Sequence, residues 1–191
     1  METIVAIRAQ RAVRAYADEP VTEEQLLAVL DAGRLAGSAK NRQPWRFIVV
    51  REAQTRAGLA TCGRYAAHLA KAPVVIVVVM PGDRFWDGFD AGRAAQNMMV
   101  AATDLGLGTG IATLHDADCV RRLLALAAGH NAQVAIALGV PAALKPTAEE
   151  REFVRAVLPQ VGRKSLSELV HYGRWGQQTP RNNNQGVAGG A

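Results

Sequence analysis

The sequence contains few aromatic residues, two cysteines and no long apolar run. Aromatic residues make up 5% of the 191 positions, so Ala, Val, Leu and Ile must build the core. The longest apolar run, residues 72–80, is about half of a membrane span. The apolar stretch at the N-terminus is too short for a secretory signal. We therefore expect a cytoplasmic globular protein.

The two cysteines, Cys62 and Cys119, are far apart in the sequence and match no CxxC or metal-binding spacing. In a cytoplasmic protein such cysteines are normally reduced, so we expect two free thiols in or near the core. The four histidines also lack metal-ligand spacing, and we predict no metal site. His115 follows a predicted strand and could contact a substrate; alternatively this is an ordinary loop in which Asp116 or Asp118 caps the next helix.

Lysine is scarce among the basic residues, since only 4 of the 22 are lysine and the rest are arginine. The formal net charge is +5. Arginine presents a planar set of donors that suits phosphate and carboxylate groups. The arginines are scattered, without a basic run that would indicate nucleic-acid binding. This pattern favours a small anionic ligand.

Strands and helices alternate along the chain. Thr22 and Gln25 form a capping-box pattern at the start of an amphipathic helix. The β-branched run at residues 74–79 predicts a central strand that is buried on both faces. Other strands are predicted at residues 47–50, 109–114 and 133–140. Helices are predicted at 2–8, 22–37, 54–70 (with a break at Gly63), 90–105, 118–128 and 149–157. The pattern indicates one α/β or α+β domain with about four or five strands, and a disordered tail at 176–191.

No known catalytic motif supplies the chemistry. Residues 106–110 are glycine-rich, but the third glycine of a dinucleotide fingerprint is missing and the stretch follows a predicted helix rather than a strand. The sequence also lacks a P-loop, an HExxH motif and a GxSxG motif. If the protein is an enzyme, a bound cofactor should therefore carry the reaction.

Three separate segments could bind such a cofactor. Arg11 and Arg14 lie in an irregular stretch that could hold an anion. Ser38 and Asn41 lie in a helix-to-strand loop and could hydrogen-bond a heteroaromatic ring. Arg163 comes late in the chain. Each of these residues, taken alone, is more typical of an ordinary surface or turn position.

Together these segments resemble the FMN-dependent nitroreductase family. Residues 10–16 (QRAVRAY) and 18–21 (DEPV) are similar to its Arg-Arg-Ser-x-Arg-x-Phe and Glu-Pro-Val opening. Residues 37–47 (GSAKNRQPWRF) look like its Pro-Ser-x-x-Asn-x-Gln-Pro-Trp-x-Phe loop and strand. Residues 90–109 look like its interface helix and glycine turn, and residues 163–175 are similar to its closing segment.

This resemblance implies an α+β fold with a mixed, mainly antiparallel sheet of about four or five strands, within residues 1–175. It implies a homodimer, formed through long helices, with two FMN sites at the interface. Phosphate and ribityl contacts would come from Arg11, Ala12, Arg14 and Arg163. Ser38 and Asn41 would lie beside the flavin, in some members from the partner subunit. Thr113 and Leu114 would lie near the flavin N5.

The implied activity is reduction of electron-poor acceptors, such as nitroaromatics or quinones, with NADH or NADPH by ping-pong hydride transfer. No protein group would act as the catalyst, because the flavin N5 carries the hydride. Alternatives are another reaction on the same fold (dehalogenation, flavin fragmentation or dehydrogenation) or a flavin-binding protein without catalysis.

The sequence departs from the family pattern at the expected phosphate site. Gln10 replaces the first arginine and Ala12 replaces the serine, which removes one charge and one hydroxyl group. Gly37 replaces a proline, and Thr113 with Leu114 replaces a Gly-Gly or Glu-Gly pair. These changes bear on cofactor affinity and substrate choice rather than on the fold.

The predicted helix at residues 90–105 is apolar on much of its circumference. This favours a dimer interface, because a monomer of this size would struggle to cover such a helix. The alternative is a helix fully buried in the core of the subunit. The apolar positions are Ala94, Ala95, Met98, Met99, Val100, Ala101 and Ala102.

Overall fold

The computed structural model describes residues 2–82, 84–142 and 163–178. The chain divides into two units, Met1–Leu144 and Lys145–Ala191. The predicted helix at 149–157 and most of the predicted disordered tail lie outside the described residues. No described helix is both long and apolar enough to cross a membrane.

The first unit consists of five helices and four strands in its described part. The helices are α1 (Thr3–Ala9), α2 (Glu23–Arg34), α3 (Ala53–Thr61), α4 (Phe85–Asp104) and α5 (Ala117–Leu123), with short 3-10 turns at Ala39–Asn41 and Ala67–Lys71. The strands are β1 (Arg46–Val50), β2 (Val74–Met80), β3 (Gly108–Thr113) and β4 (Asn131–Gly139). In the second unit, the described residues contain one short helix, α6 (Leu166–Leu169).

The four strands form one sheet in the order β1-β2-β4-β3, and every neighbouring pair is antiparallel. This confirms the expected α+β fold with a mainly antiparallel sheet. All seven residues of β2 are buried, as the β-branched run predicts. β1 and β3 are the two edge strands.

Helices cover both faces of the sheet. Because side chains alternate along β2, Val75 and Val77 pack on the side of α3 and α5, while Ile76 packs on the side of α2 and α4. Met98 of α4 is fully buried against this second face. Each large aliphatic side chain buried in this way contributes roughly 1.5–3 kcal/mol to folding.

Most predicted element boundaries agree with the structure to within a few residues, and three differ more. α3 ends at Thr61, before the predicted break at Gly63, and the rest of the predicted helix is a loop and the 3-10 turn Ala67–Lys71. The N-terminus of α4 is at Phe85, five residues before the predicted start. Gly88 and the aromatic residues around it are weak helix formers, but Asp87 in the first turn interacts favourably with the helix dipole and forms ion pairs. α5 is shorter than predicted, since Ala125 has a φ of 49° and interrupts the helix.

The expectation of two free thiols is wrong. Cys62 at the end of α3 and Cys119 in α5 form a disulfide, with their Cα atoms 5.6 Å apart. The two helices contact each other on the same side of the sheet, which brings together cysteines that are 57 positions apart. Sequence spacing contains no information about this proximity.

The structure also changes the argument from the apolar face of α4. Five of the seven apolar side chains cited for it are buried within the subunit, namely Ala94, Ala95, Met98, Met99 and Ala102. The large exposed apolar side chains of α4 lie instead in its first turns, at Phe85, Trp86 and Phe89.

Candidate functional site

The segment that contains Arg11 and Arg14 lies along the free edge of β3. Ala12 forms a parallel bridge with Thr109. The N–H of Val13 donates to the carbonyl oxygen of Thr109 at 2.8 Å. Gly108 permits this approach, because a Cβ atom there would lie 2.7 Å from Cγ1 of Val13. The glycine turn therefore holds the N-terminal segment on the sheet.

Arg11 has a structural role in this segment. One nitrogen of its guanidinium donates to the carbonyl oxygens of Arg8 at 2.6 Å and Gln10 at 2.7 Å. These carbonyls lie at the C-terminal end of α1, where basic side chains commonly satisfy them. The side chain is exposed, and its remaining N–H groups can still donate to a ligand.

Arg14 is exposed, and its charge affects two neighbouring side chains. One is His68, which is 7% exposed and has Nε2 3.3 Å from the carbonyl oxygen of Gly110. Burial lowers the pKa of His68, the Gly110 carbonyl raises it, and the positive charge of Arg14 lowers it. The other is Tyr16, whose hydroxyl donates to Val13 at 2.8 Å. Burial raises the pKa of Tyr16, and Arg14 lowers it.

Thr113 and Leu114 lie at the C-terminal end of β3. The N–H of Leu114 donates to the carbonyl oxygen of Gln133 at 2.9 Å. A Cβ atom on Gly63 would lie 2.4 Å from the carbonyl oxygen of Thr113, so the loop after α3 packs directly on this end of the strand. The nearby Cys62 carbonyl accepts from the N–H of Asp116 at 3.0 Å. This end of β3 is therefore well fixed.

In the loop after Thr113, Asp116 caps the next helix, as one of the two interpretations of the sequence predicts. Its side chain accepts a hydrogen bond from the N–H of Cys119 at 2.8 Å and caps α5. His115 is exposed, with Nε2 3.4 Å from Oγ1 of Thr113. His115 is therefore a neighbour of Thr113.

Ser38 and Asn41 lie in the loop of residues 37–45, between α2 and β1. The hydroxyl of Ser38 accepts a hydrogen bond from the N–H of Gln43 at 2.9 Å. The side-chain amide of Gln43 donates to Oδ1 of Asn41 at 3.2 Å. Since that oxygen is engaged, the Asn41 side chain offers its NH₂ group as a donor.

The same loop contains an ion-pair cluster that the motif analysis did not identify. Nη2 of Arg42 is 3.5 Å from Oδ1 of Asp87 and 3.5 Å from Oδ2 of Asp90. The side chains of the two aspartates are 1% and 2% exposed. Arg42 and Asp87 are 45 positions apart in the sequence, so no local pattern predicts their contact.

Arg93 occupies the space beside Gly37. A Cβ atom on Gly37 would lie 2.1 Å from Nη2 of Arg93. The guanidinium therefore packs against the glycine backbone, while its carbon Cζ lies 5.7 Å from the ring centroid of Phe89. The side chain of Arg93 uses the space that the proline of the family pattern would require.

The first unit places the expected site residues in two groups, at opposite edges of the sheet. Arg11, Ala12 and Arg14 lie along β3, which ends at Thr113. The loop with Ser38 and Asn41 leads into β1. In the sheet register, Arg46 at the start of β1 pairs with Val79 of β2. The neighbouring Val78 pairs with Val134 of β4, which in turn pairs with Thr113 at the end of β3. The Ser38 loop and Thr113 therefore lie at the same end of the sheet, on strands that are three strand spacings, or about 14 Å, apart. The Arg11–Arg14 segment pairs with Thr109, near the other end of β3.

Arg163 belongs to the second unit. It is exposed and comes shortly before Ser165, which forms a capping box with Glu168 at the start of α6. The hydrogen bonds from Ser165 lower the pKa of Glu168. Within the described residues, no cluster of three or more His, Cys, Asp or Glu side chains could hold a metal ion.

Two apolar grooves flank α2. One, of about 600 Å³, lies between α1, α2 and α4 and includes Ile7, Leu35 and Val100. The other, of about 520 Å³, lies beside the loop of residues 37–45 and includes Leu27 and Trp45. Exposed Ile4 of α1 adds to the apolar surface near the first groove. These surfaces are suited to a protein partner.

Comparison with known proteins agrees with this fold. The nitroreductase family model matches residues 7–62 and 60–140. A Methanothermobacter thermautotrophicus protein, whose name suggests NADH dehydrogenase or NAD(P)H nitroreductase activity, is 36% identical over 153 residues, or 74% of this chain and 78% of that protein.

Solved structures give the same answer. A Bacteroides thetaiotaomicron protein with a name of the same kind has a TM-score of 0.77 at 26% identity, covering 91% of this chain and 98% of the other. A nitroreductase-type protein from Desulfovibrio desulfuricans, solved in complex with FMN, has a TM-score of 0.70 at 32% identity, covering 89% and 95%. The family match spans the greater part of the chain, from α1 through β4. The chain belongs to the nitroreductase family.

Proposed function

We propose that the protein is an FMN-dependent oxidoreductase that uses NADH or NADPH to reduce electron-poor small molecules, such as nitroaromatics or quinones. The observation that carries this proposal is the docking of the Arg11–Arg14 segment on the free edge of β3, with Thr113 at the far end of the same strand. The activity suggested by the names of the relatives and the FMN bound in the D. desulfuricans structure support it.

The residues along β3 fit a ligand with a phosphate at one end and a polar ring at the other. Arg11 and Arg14 offer charge-assisted donors for the phosphate, and the backbone near Ala12 adds N–H groups. Four residues further along, Thr113 lies roughly 13 Å from Thr109. There the backbone of Thr113 and Leu114 lies next to the expected N5 edge of the ring.

Bound FMN would supply the hydride chemistry that links NAD(P)H to the second substrate in a ping-pong cycle. The protein's residues would bind the cofactor and orient it. Ser38 and Asn41 would hydrogen-bond the edge of the flavin ring, and the arginines would stabilise the negative charge of the phosphate. No protein acid or base is required, because the rate depends on holding the two reacting centres close together.

A homodimer completes this site. Within one chain, the loop of Ser38 and Asn41 leads into β1, which is three strand spacings, or about 14 Å, from β3. A second subunit can bring its own Ser38 loop to the β3 edge. The apolar groove lined by Ile7, Leu35 and Val100 provides a surface for the second copy. We propose Arg163 as a further phosphate ligand on the family resemblance alone.

The missing arginine at Gln10 and the missing hydroxyl at Ala12 give the phosphate fewer partners than the family pattern has. The remaining contacts should then carry a larger share of the binding energy. We expect moderate FMN affinity that is sensitive to the loss of Arg14.

Titration of FMN by fluorescence quenching tests the site. Arg14→Ala should weaken binding by about 1.5–3 kcal/mol, as expected for a charge-assisted hydrogen bond. Arg34→Ala, in an exposed ion pair with Asp31, removes the same charge elsewhere and should leave affinity unchanged. Equal affinity of the Arg14→Ala variant and the wild type would exclude Arg14 from the site. Binding of FMN without reduction by NAD(P)H would instead indicate a flavin-binding protein without this activity.

A further inference from the structure

The loop that contains Ser38 and Asn41 has an unfavourable backbone conformation. Lys40, Asn41 and Gln43 have φ angles of 53°, 53° and 47°, and none of them is glycine. Left-handed backbone at non-glycine residues persists only where surrounding contacts hold it. The contacts that hold this loop are therefore needed to keep Ser38 and Asn41 in their present conformation.

Hydrogen bonds within the loop define its internal shape. Gln43 donates from its backbone to Oγ of Ser38 and from its side chain to Oδ1 of Asn41. The N–H of Asn41 donates to the carbonyl oxygen of Ser38 at 3.0 Å. All of these partners belong to the loop, so these bonds do not fix it to the rest of the subunit.

Arg42 makes the ion-pair connection between the loop and α4. Its guanidinium lies between the carboxylates of Asp87 and Asp90, on successive turns of α4, at 3.5 Å from each. Arg84, the N-cap residue of α4, lies 3.3 Å from Asp87, and Arg93 within α4 lies 3.9 Å from Asp90. Of the three arginines in this cluster, Arg42 alone comes from the loop.

The ion pairs of Arg42 with Asp87 and Asp90 are strong because both carboxylates are buried. A carboxylate removed from water is costly unless a positive charge or a hydrogen bond compensates it. Within the part of the chain that the structure describes, Oδ2 of Asp90 accepts no hydrogen bond, and Arg42 lies 3.5 Å from it. Movement of the loop away from α4 would leave this buried oxygen without its cation.

We propose that Arg42, Asp87 and Asp90 form a latch that holds the loop of Ser38 and Asn41 in the conformation that binds the flavin. They are positioning residues, because they act through Ser38 and Asn41. Arg42 is not a phosphate ligand, since two buried carboxylates already engage its charge. This inference rests on the proposed function, which assigns Ser38 and Asn41 to the flavin.

Amide hydrogen exchange tests the latch without FMN, and FMN titration tests its consequence. The variants are Arg42→Ala, Asp90→Asn and the two combined. Each single change should speed exchange at residues 38–43, because the loop loses a charge partner on α4. Each should also weaken FMN binding about tenfold, which corresponds to about 1.4 kcal/mol. The double variant should bind FMN no more weakly than Arg42→Ala does, because both changes remove the same contact between Arg42 and Asp90.

Two further variants serve as controls. Arg34→Ala removes an arginine from the exposed pair with Asp31 on α2 and should change neither measurement. Arg42→Lys keeps the positive charge beside Asp87 and Asp90, so it should fold and restore part of the FMN affinity. It keeps the test valid if Arg42→Ala destabilises the whole subunit.

The outcomes separate the latch from the proposed function. Unchanged exchange at residues 38–43 in the Arg42 and Asp90 variants would overturn the latch. Faster exchange with unchanged FMN affinity would show that the loop does not position the cofactor, and would also overturn it. If the wild-type protein binds no FMN, the proposed function fails, and with it the cofactor part of the inference, whereas exchange still decides whether Arg42 fixes the loop.

Discussion

The N–H of Val13 donates a hydrogen bond to the carbonyl oxygen of Thr109 at 2.8 Å. This contact places the arginine segment on the edge strand that leads to Thr113. It depends on a close approach at Gly108, where no side chain intervenes. The two ends of the proposed FMN site are thus connected by one strand.

Gly108→Ala tests that approach. The new Cβ would lie within 2.7–2.8 Å of three side-chain atoms of Val13, so the segment or the strand must move. We expect a loss of about 1–3 kcal/mol in unfolding free energy, typical of overpacking, together with weaker FMN binding. Urea unfolding and FMN titration measure the two effects.

Gly92→Ala is the matched control. A Cβ at this helical position would meet no atom within 4 Å, so the change should be neutral or stabilise by about 0.5–1 kcal/mol. Equal stability and equal FMN affinity in the two variants would show that the approach of Val13 to Gly108 does not hold the segment.

The disulfide predicts a thiol count. Because Cys62 and Cys119 are paired, the unreduced protein should contain no thiols that react with a thiol reagent in denaturant. After reduction it should contain two. Replacing both with alanine should cost up to about 4 kcal/mol of unfolding free energy, as the entropy of a loop of about 57 residues implies. Two thiols without prior reduction would contradict the pairing.

His68 predicts a pH-dependent stability. Its folded-state pKa is lowered from the ordinary value of 6.5, chiefly by burial. Below pH 6.5 the unfolded chain therefore takes up a proton that the folded protein resists, so this contribution is present above pH 6.5 and is lost as the pH falls. Urea unfolding between pH 5 and 7.5 should show a shallower pH dependence in His68→Gln than in the wild type. Identical pH profiles would contradict the role of His68.

The groove between α1, α2 and α4 predicts the dimer contact. Ile7 and Leu35 are 50% and 64% exposed, and both line the groove. Ile7→Glu should shift the protein toward monomer in analytical ultracentrifugation at micromolar concentration, because a charge would be buried at the contact. Ala127→Glu, in the exposed loop after α5, should not. A dimer in both variants would place the interface elsewhere.

The order of strands and helices, the buried strand β2 and the cap of α2 could be predicted from local patterns, because each depends on neighbours in sequence. The disulfide could not, since Cys62 and Cys119 meet only when α3 and α5 pack on one face. The same applies to Arg42 with Asp90, and to the early start of α4, where tertiary ion pairs at Asp87 outweigh weak helix propensity. Arg11, Arg14, Ser38 and Asn41 were identified through the family resemblance, and their cofactor roles stay predictions.

The absorbance spectrum of the purified protein with FMN, before and after anaerobic addition of NADPH, tests the central claim most directly. The account predicts a bound-flavin band near 450 nm, about one flavin per subunit, that bleaches on addition of NADPH and returns with a quinone or nitroaromatic. A protein that stays colourless with added FMN, or a bound flavin that neither NADPH nor NADH bleaches, would contradict it.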